Sequence, residues 1–583
     1  MRRSKTRNIV TSGMAAFILP FLAGCPYQTQ ALFADERDYD RRVSLSRLRE
    51  VETLELTQSE EGIADLEGDV DMAAQRELVA QSQERFEAMR TRELTIEQAR
   101  AATLRNNLDL RVALIEPTIA AEAVNEEEGR FEALLFSNAQ INNVDDAVAT
   151  DLAAGQSQTI FFQPGLRIPL YTGGEFELST PYTRTRTDNQ FATLNPSQEQ
   201  NLEFSVSQPL LRNAGRRATT FQIRVADIDR QVSEAQTKLE VTRQVAAADR
   251  AYWRLYAARR AVEVRVQQYE LAVEQLGRAR RRFEAGAEAE VEVIRAESGV
   301  ADRVEDIITA QNEVLLRQRE LKELMNIPGL DVDSGENLIP ASTPDPVRYA
   351  LDPDKLAEQA VDERAELLEI ELNLARDAAT IAFQKNEALP LLSLDYTYRV
   401  NGLGDEFTEA VRVASENRFE TWELGITAEI PLGNEQRESA VQQAVLSRLQ
   451  RLSTEASRRQ TIVREVFDAV DNIESGFQRI LASRQAVILN TRTLQAEQRQ
   501  FEVGRVTSTD VLEADADLAE SRLNEIEAIV DYQIAQVDLA FATGTLLGAS
   551  RVEWGPIDPR ETPAPHEARP SLQGKASASS TTG

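Results

Sequence analysis

Residues 281–298 read RRFEAGAEAEVEVIRAES, and residues 499–516 read RQFEVGRVTSTDVLEADA. Both stretches contain Phe-Glu-X-Gly, followed seven residues after the glycine by an aliphatic pair and then X-Ala. The sequence on both sides of each stretch has a helical pattern. Glycine is the residue that most readily takes the left-handed conformation of a tight reversal. The repeated stretch therefore predicts two helical hairpins in the chain, with turns at Gly286 and Gly504.

Apolar residues recur every seven positions before each turn. Sustained seven-residue spacing keeps an apolar seam facing a neighbouring helix and predicts coiled-coil packing. The first long helix is predicted to run from about residue 217 to 284, roughly 100 Å at 1.5 Å per residue. Shorter helices are predicted to return over 289–326 and 507–547. The seams are Val241, Ala248, Leu255, Val262, Tyr269 and Leu276, and then Val466, Ile473, Ile480, Val487 and Leu494.

The hairpins belong to a longer internal duplication. Residues 94–113 and 351–370 have a similar helical pattern, and each begins with a residue suited to capping, Thr95 or Asp352. A repeat of this length is a doubled unit rather than a solenoid, whose repeats are shorter. The sequence therefore predicts a first repeat over 94–340 and a second over 341–550.

Between the opening helix and the long helix of each repeat, the pattern alternates with a period of two. Residues 391–400 read LLSLDYTYRV, and 421–432 read TWELGITAEIPL, with polar residues on one face only. This alternation predicts strands with one wet face and one apolar face, as in a membrane barrel or a soluble sheet. With 202–207 and a weaker run at 134–143, four strands are predicted.

The region 157–190 also contains strand-like runs, which either extend this sheet or form a separate hairpin. Loops are predicted over 188–198 and 402–417. Four strands are too few to close a barrel, and their open edges need partners. The sequence therefore predicts an oligomer.

The composition excludes several functional classes. The net charge is −31, so we expect no nucleic-acid partner, because phosphate binding needs a basic surface. The chain has one cysteine, Cys25, and one histidine, His566. This inventory excludes a disulfide within the chain and argues against histidine-dependent catalysis and two-histidine zinc sites. We expect no enzyme activity, no cofactor and no metal site.

The N-terminus has the pattern of a targeting segment. A basic start and an apolar stretch precede Leu22-Ala23-Gly24-Cys25, which resembles a bacterial lipoprotein signal. We therefore predict a signal peptide over 1–24 and lipidation of Cys25; the alternative is an ordinary signal peptide with a chance cysteine. Pro26, in place of Asp, favours the outer membrane by the same resemblance. Residues 25–93 are predicted to be an acidic periplasmic segment, and 551–583 a disordered tail.

Residues 94–548 resemble the TolC family of outer-membrane efflux and secretion channels. The most specific motifs are the two turns and the strand-to-helix passages SVSQPLLRNAGR (205–216) and TAEIPLGNEQR (427–437). The resemblance implies a mainly helical chain with a small β part. Three copies form a long coiled-coil α-helical barrel in the periplasm, and four strands from each complete a twelve-stranded transmembrane β-barrel.

The resemblance also implies roles for particular residues. A periplasmic adaptor (a membrane fusion protein) docks on the helical tips and links the channel to an inner-membrane pump. The docking tips are predicted at Phe283, Gly286, Phe501 and Gly504. Carboxylates near the tips are predicted to form a periplasmic gate, although acidic residues also favour a helix start through the helix dipole. The predicted gate residues are Asp510, Glu513, Asp517 and Glu292.

The favoured function is a passive conduit of a tripartite efflux or type I secretion system, in the outer membrane of a Gram-negative-type bacterium. Drugs, metals and polypeptides all remain open as cargo. The alternative is a non-channel, coiled-coil structural lipoprotein of the envelope. That alternative accounts for the heptads and the lipid but leaves the alternating strands of each repeat unexplained.

Overall fold

The computed structural model describes residues 77, 84, 90–148, 150, 153–287, 289–558 and 560. The chain divides into two compact units, Asp71–Ile557 and the pair of segments Met1–Val70 and Asp558–Gly583. In the latter unit, Arg560 forms an ion pair of 2.7 Å with Asp558. The predicted signal peptide, Cys25, most of 25–93 and the tail beyond 560 lie outside the described residues.

The first repeat begins with short elements and ends with a long helical hairpin. In chain order its elements are β1 (Thr91–Leu94), α1 (Ile96–Asn106), α2 (Leu108–Gly129), β2 (Leu134–Asp145), β3 (Gln156–Pro169), β4 (Glu175–Ser179), β5 (Tyr182–Thr187), β6 (Ser197–Pro209), α3 (Arg216–Thr219), α4 (Phe221–Glu284), α5 (Glu290–Met325) and β7 (Asn337–Pro340).

The second repeat follows the same plan with fewer strands. Its elements are α6 (Pro353–Glu363), α7 (Ala365–Glu387), β8 (Leu391–Gly404), α8 (Phe407–Ser415), β9 (Glu420–Glu429), α9 (Glu435–Glu502), α10 (Ser508–Ala542) and α11 (Leu546–Ala549). The long helices α4 and α9 have 64 and 68 residues, and their returning partners α5 and α10 have 36 and 35. At about 1.5 Å per residue, α4 and α9 are each on the order of 100 Å long.

Each opening helix is broken in the middle, although one continuous helix was predicted in each repeat. The breaks fall at Asn107 and Arg364, whose backbones are extended (ψ 129° and 124°). Asn107 caps α2, because its Oδ1 accepts a hydrogen bond of 2.8 Å from the amide of Leu110. Helical periodicity continues through both breaks, so the pattern of apolar residues did not indicate them.

The break at Arg364 carries a buried ionic cluster. The Arg364 guanidinium donates to Glu366 and to Glu465 of α9. Arg458 donates to the same two carboxylates, at 3.0 and 3.3 Å. Burial opposes ionisation of Glu366, but its hydrogen bond and ion pair with Arg364, helped by Arg458, lower its pKa to about 2. The cluster therefore ties the α6–α7 break to the long helix α9.

The helices pack side by side along the predicted apolar seams. Near the sheet, the neighbouring pairs are α2 with α4, α4 with α7, and α7 with α9. Toward the turns, α5 lies against α4, α4 against α10, and α10 against α9. The predicted heptad packing is confirmed by the burial of most seam residues, among them Val241, Ala248, Leu255, Leu276, Val466, Ile473, Ile480 and Leu494.

The strands form a two-stranded parallel sheet, β1–β7, and a large antiparallel sheet in the order β2-β3-β4-β6-β8-β9. The short strand β5 continues the position of β4, since it also pairs with β3 and β6. All four predicted strands are present, as β2, β6, β8 and β9. The 157–190 region, for which an extended sheet and a separate hairpin were both left open, joins this sheet and adds two strand positions between β2 and β6. The count of four strands in the membrane barrel stays a prediction.

The prediction of a loop over 402–417 is wrong in part. Strand β8 continues to Gly404, and α8 then packs on β8 and β6. Gly402 permits this close packing, because a Cβ atom there would lie 2.1 Å from the carbonyl oxygen of Ala410. The sequence of this segment is typical of a turn, so the pattern did not predict its helix of nine residues.

Among the described residues, no helix combines the length and the apolarity needed to cross a membrane.

Candidate functional site at the helical tips

The two predicted turns have the same backbone geometry. Gly286 and Gly504 take left-handed conformations with φ of 72° and 73°. The amide of Gly286 donates to the carbonyl of Phe283 at 2.8 Å, and that of Gly504 to Phe501 at 3.0 Å. In each turn the next residue donates to the carbonyl five residues earlier, as expected at a glycine-terminated helix. The turns therefore close both long helices in the same way.

The two phenylalanines beside the turns have different environments. Phe283 is 44% exposed, whereas Phe501 is 2% exposed and packs in a cluster with Val511 and Leu518. The Arg282 guanidinium lies 4.5 Å from the centre of the Phe501 ring and donates to the Phe501 carbonyl at 3.0 Å. Phe501 is thus a packing residue that joins the two tips, and the exposed aromatic ring is that of Phe283.

Asp510 is engaged in capping the helix α10. Its carboxylate accepts hydrogen bonds of 2.7 Å from both the amide and the hydroxyl of Thr507. The Thr507 hydroxyl in turn accepts from the Asp510 amide, which completes a capping box. These bonds from Thr507, the backbone one first, hold the pKa of Asp510 below its usual value. In a single copy of the chain, the Asp510 carboxylate therefore caps the start of α10, which is the alternative role that acidic residues have near a helix start.

Glu292 connects the two hairpins. It accepts a hydrogen bond of 2.7 Å from the hydroxyl of Ser508 on α10, and Arg295 of its own helix lies 2.7 Å away. The Glu292 side chain is 15% exposed, and Ser508 is buried. Of the predicted gate residues, Glu292 thus lies within a contact between tips, and Ser508 is a partner that the sequence pattern did not indicate.

Glu513 and Asp517 lie on an exposed acidic face of α10. The residues of this acidic stripe are spaced by three, four or seven positions, so that they follow one side of the helix. Within the described residues, neither Glu513 nor Asp517 forms an ion pair through its side chain, whereas Asp531 lies 3.2 Å from Arg479. The stripe repels anions and attracts cations. Its members are Asp510, Glu513, Asp517, Glu520, Glu527 and Asp531.

Asp515 is a buried carboxyl group that the sequence reasoning missed. It lies on the side of α10 opposite the stripe, and its Oδ2 has no hydrogen-bond partner among the described residues. Burial raises its pKa to about 6, against the opposing charges of Arg303 and Arg522. Its place one turn after the capping box is the only local hint, and heptad spacing alone does not distinguish a buried carboxyl.

Replacing Asp515 with asparagine is expected to stabilise the protein at neutral pH. Because the folded state raises the pKa of this acid, the ionised carboxylate costs stability that grows as pH rises through about 6. The gain should be on the order of 1–3 kcal/mol above pH 7 and should vanish near pH 4. Thermal unfolding midpoints of Asp515→Asn and the unsubstituted chain across this range measure it. A pH-independent difference would contradict this assignment.

No metal cluster accompanies these carboxylates. Within the part of the chain that the structure describes, no group of three or more His, Cys, Asp or Glu residues is placed to hold a metal ion. The acidic stripe therefore creates a negative electrostatic potential along the helix and is not a metal-coordination site.

The arrangement of two helical hairpins on an antiparallel sheet is shared with solved outer-membrane channels. CusC superposes with a TM-score of 0.59 at 16% identity, covering 77% of this chain and 92% of CusC. The Campylobacter jejuni CmeC outer membrane channel superposes with a TM-score of 0.59 at 14% identity, covering 77% and 86%. At these identities, the likeness shows a shared fold.

Residues 356–545 match the outer membrane efflux protein family. The outer membrane protein TolC of Vibrio cholerae is 26% identical over 280 residues, which are 47% of this chain and 61% of TolC. The match thus spans less than two thirds of that relative. Together with the shared fold, it confirms that this chain resembles the TolC family.

Proposed function

We propose that this chain is the subunit of a trimeric outer-membrane channel, a passive conduit of a tripartite efflux or type I secretion system. The observation that carries the proposal is the division of the large sheet into two unlike faces, joined directly to long helices. On one face of β9, Trp422, Leu424 and Ile426 are each at least 59% exposed. On the opposite face, Arg399 pairs with Glu203 at 2.8 Å. An apolar outside and a polar inside are what a membrane wall requires.

Unpaired edges and exposed apolar helix faces support assembly from several copies. In the described sheet, β2 and β9 each pair on one side only, and open edges need partners. Leu446, Leu481 and Ile488 of α9 are exposed, as are Leu108 and Val112 of α2. Exposed apolar side chains along these helices are suited to contacts with neighbouring copies. The number of copies, three, is inferred from the resemblance to the TolC family.

The tips are proposed to serve two purposes. Phe283 and the reversals at Gly286 and Gly504 would form the surface on which a periplasmic adaptor docks, with Phe501 holding the tips together. Asp510, Glu513 and Asp517 would place carboxylates around the periplasmic gate. Glu292 would contribute by holding α5 to α10 through Ser508. The pump would then act on the channel only through the adaptor.

The proposed location is the outer membrane, with Cys25 lipidated and most of the helical part in the periplasm. Neither an enzyme activity nor a cofactor is proposed, and the matched proteins are described as efflux proteins and channels. A structural envelope lipoprotein is the less favoured function, because it would not need a sheet with an apolar outer face.

Purified protein is expected to insert into planar lipid bilayers as trimers that conduct ions in discrete steps. The physical reason is that closing the sheet around polar residues leaves a water-filled lumen. Conductance and subunit number are measured together, by bilayer recording and by light scattering in detergent. Stable monomers with no conductance would contradict the channel and favour the structural lipoprotein.

A further inference from the structure

We infer that the inserted hairpin, residues 156–187, is part of the membrane wall, so that each copy contributes six strand positions instead of four. Three copies would then form a wall of three times six, or eighteen, strands. This inference rests on the proposed trimeric channel, but it concerns the width of the wall and not whether a channel forms.

Apolar residues run across β3 and β4, the part of the insertion nearest the helices, without interruption. One row follows directly paired positions through all six strand positions, and a second row follows the next paired positions from β3 to β9. Directly paired residues project from the same face of a sheet, so the insertion continues the apolar face. The rows are Leu135, Leu166, Leu178, Phe204, Tyr398 and Trp422, and then Ile168, Phe176, Val206, Tyr396 and Leu424.

The opposite face of the inserted strands is polar, as it is on the other strands. Arg167 of β3 lies 2.9 Å from Glu177 of β4 and 3.2 Å from Glu175. Ion pairs of this kind belong on a water-filled side, because an unscreened charge facing lipid is costly. A hairpin folded into the lumen as a plug would not need apolar residues on one face and charged residues on the other.

The periplasmic end of the hairpin is fixed to the junction between sheet and helices. The amide of Gly215, just before α3, donates to the Thr172 carbonyl at 2.9 Å. Gly173 has a φ of 90°, and a Cβ atom there would lie 2.1 Å from the carbonyl oxygen of Asn213. The Tyr171 ring stacks on Phe131 with centres 4.4 Å apart. The hairpin therefore returns at the level where the strands become helices.

The sheet and the layer of helices below it have similar widths when six strands are counted in each copy. Six strands about 4.8 Å apart, tilted by about 35–45°, occupy about 35–41 Å of circumference, whereas four occupy about 23–27 Å. The four neighbouring helices of one copy, α2, α4, α7 and α9, occupy about 32–40 Å at about 8–10 Å each. Six strands therefore continue the helical layer without narrowing it.

The consequence is a wider outer opening. Barrel diameter grows roughly in proportion to strand number, so eighteen strands give about 1.5 times the diameter of twelve. The wall in the membrane would then be about as wide as the helical tunnel below it. The outer opening would admit folded peptides or bulky solutes that a twelve-stranded wall would restrict.

Single-cysteine variants in lipid vesicles test this placement. A fluorophore is attached to Leu178→Cys or Glu177→Cys on β4, and to Phe204→Cys or Ser205→Cys on β6 as the matched control. Quenching by a lipid-borne nitroxide is expected to be about threefold stronger at 178 and 204 than at 177 and 205.

The outcomes separate the inference from the proposed function. Alternating quenching on both strands supports the six-strand wall. Alternation on β6 without alternation on β4 overturns it and leaves the channel intact. Absence of alternation on both strands overturns the channel and the inference together. An electron cryomicroscopy map of the full chain in lipid nanodiscs provides an independent count: eighteen strands are expected, and twelve would overturn the inference.

Discussion

Replacing Arg364 with alanine is expected to lower the free energy of unfolding by about 3 kcal/mol or more. The Arg364 side chain is buried, and its guanidinium holds Glu366 and Glu465 at the break between α6 and α7. Removing it leaves Glu366, which is mostly buried, and Glu465, which is about one-third exposed, to share Arg458. Unfolding monitored by circular dichroism in detergent, with urea as the denaturant, measures the change.

The same cluster sets the sign of a pH effect. Because folding lowers the pKa of Glu366 to about 2, its contribution to stability is present above about pH 4.5 and is lost as pH falls toward 2. The difference between Arg364→Ala and the unsubstituted chain should therefore shrink in acid.

The control is Arg464→Ala, on the exposed side of α9. Arg464 pairs with Asp468 one helical turn away, and both side chains are more than half exposed. Such pairs contribute less than about 1 kcal/mol. Equal losses in the two variants would show that Arg364 contributes no more than a surface ion pair.

The double substitution Glu513→Gln with Asp517→Asn is expected to raise the concentration of Mg²⁺ needed for half-block of the channel by about tenfold or more. A divalent cation about 8 Å from one carboxylate gains about 1 kcal/mol even in bulk water, and three copies would present six such groups. Bilayer recordings with Mg²⁺ on the periplasmic side measure the block. Asp510 is left in place, because its carboxylate caps α10 and its removal would disturb the tip itself.

Asp531→Asn is the matched control for the proposed gate. It lies on the same acidic stripe but two heptads beyond Asp517, or about 21 Å along the helix, and it is paired with Arg479. Removing it should leave the block within about twofold, because charges separated by more than about 10 Å in salt solution interact weakly. If the double variant and the control shift the block equally, the carboxylates act only as diffuse charge, and the proposed gate is wrong.

Most of the helical architecture was predictable from the sequence, because helical packing leaves a short-range signature. The seven-residue spacing before Phe283 and Phe501 predicted two long helices, and the structure has them over 221–284 and 435–502. The alternation in β8 and β9 similarly predicted strands, since side chains in a strand point to opposite faces.

The site was less predictable, because its chemistry depends on neighbours distant in sequence. Phe283 and Phe501 have the same local motif, yet Arg282 covers the second ring and leaves the first exposed. Glu292 and Ser508 are 216 positions apart in the chain. The local pattern that places acidic residues near a helix start does not show which of their side chains are buried and which are exposed.

The sequence alone thus determined the duplication, the helical hairpins and the period of each segment, because these follow from residues within a few positions of one another. Only the tertiary structure decided that the 157–190 region joins the main sheet, since strand pairing is a contact between distant segments whose partner no local pattern specifies. It also decided that Asp515 is buried, because burial is a property of the packed layers and not of one helix.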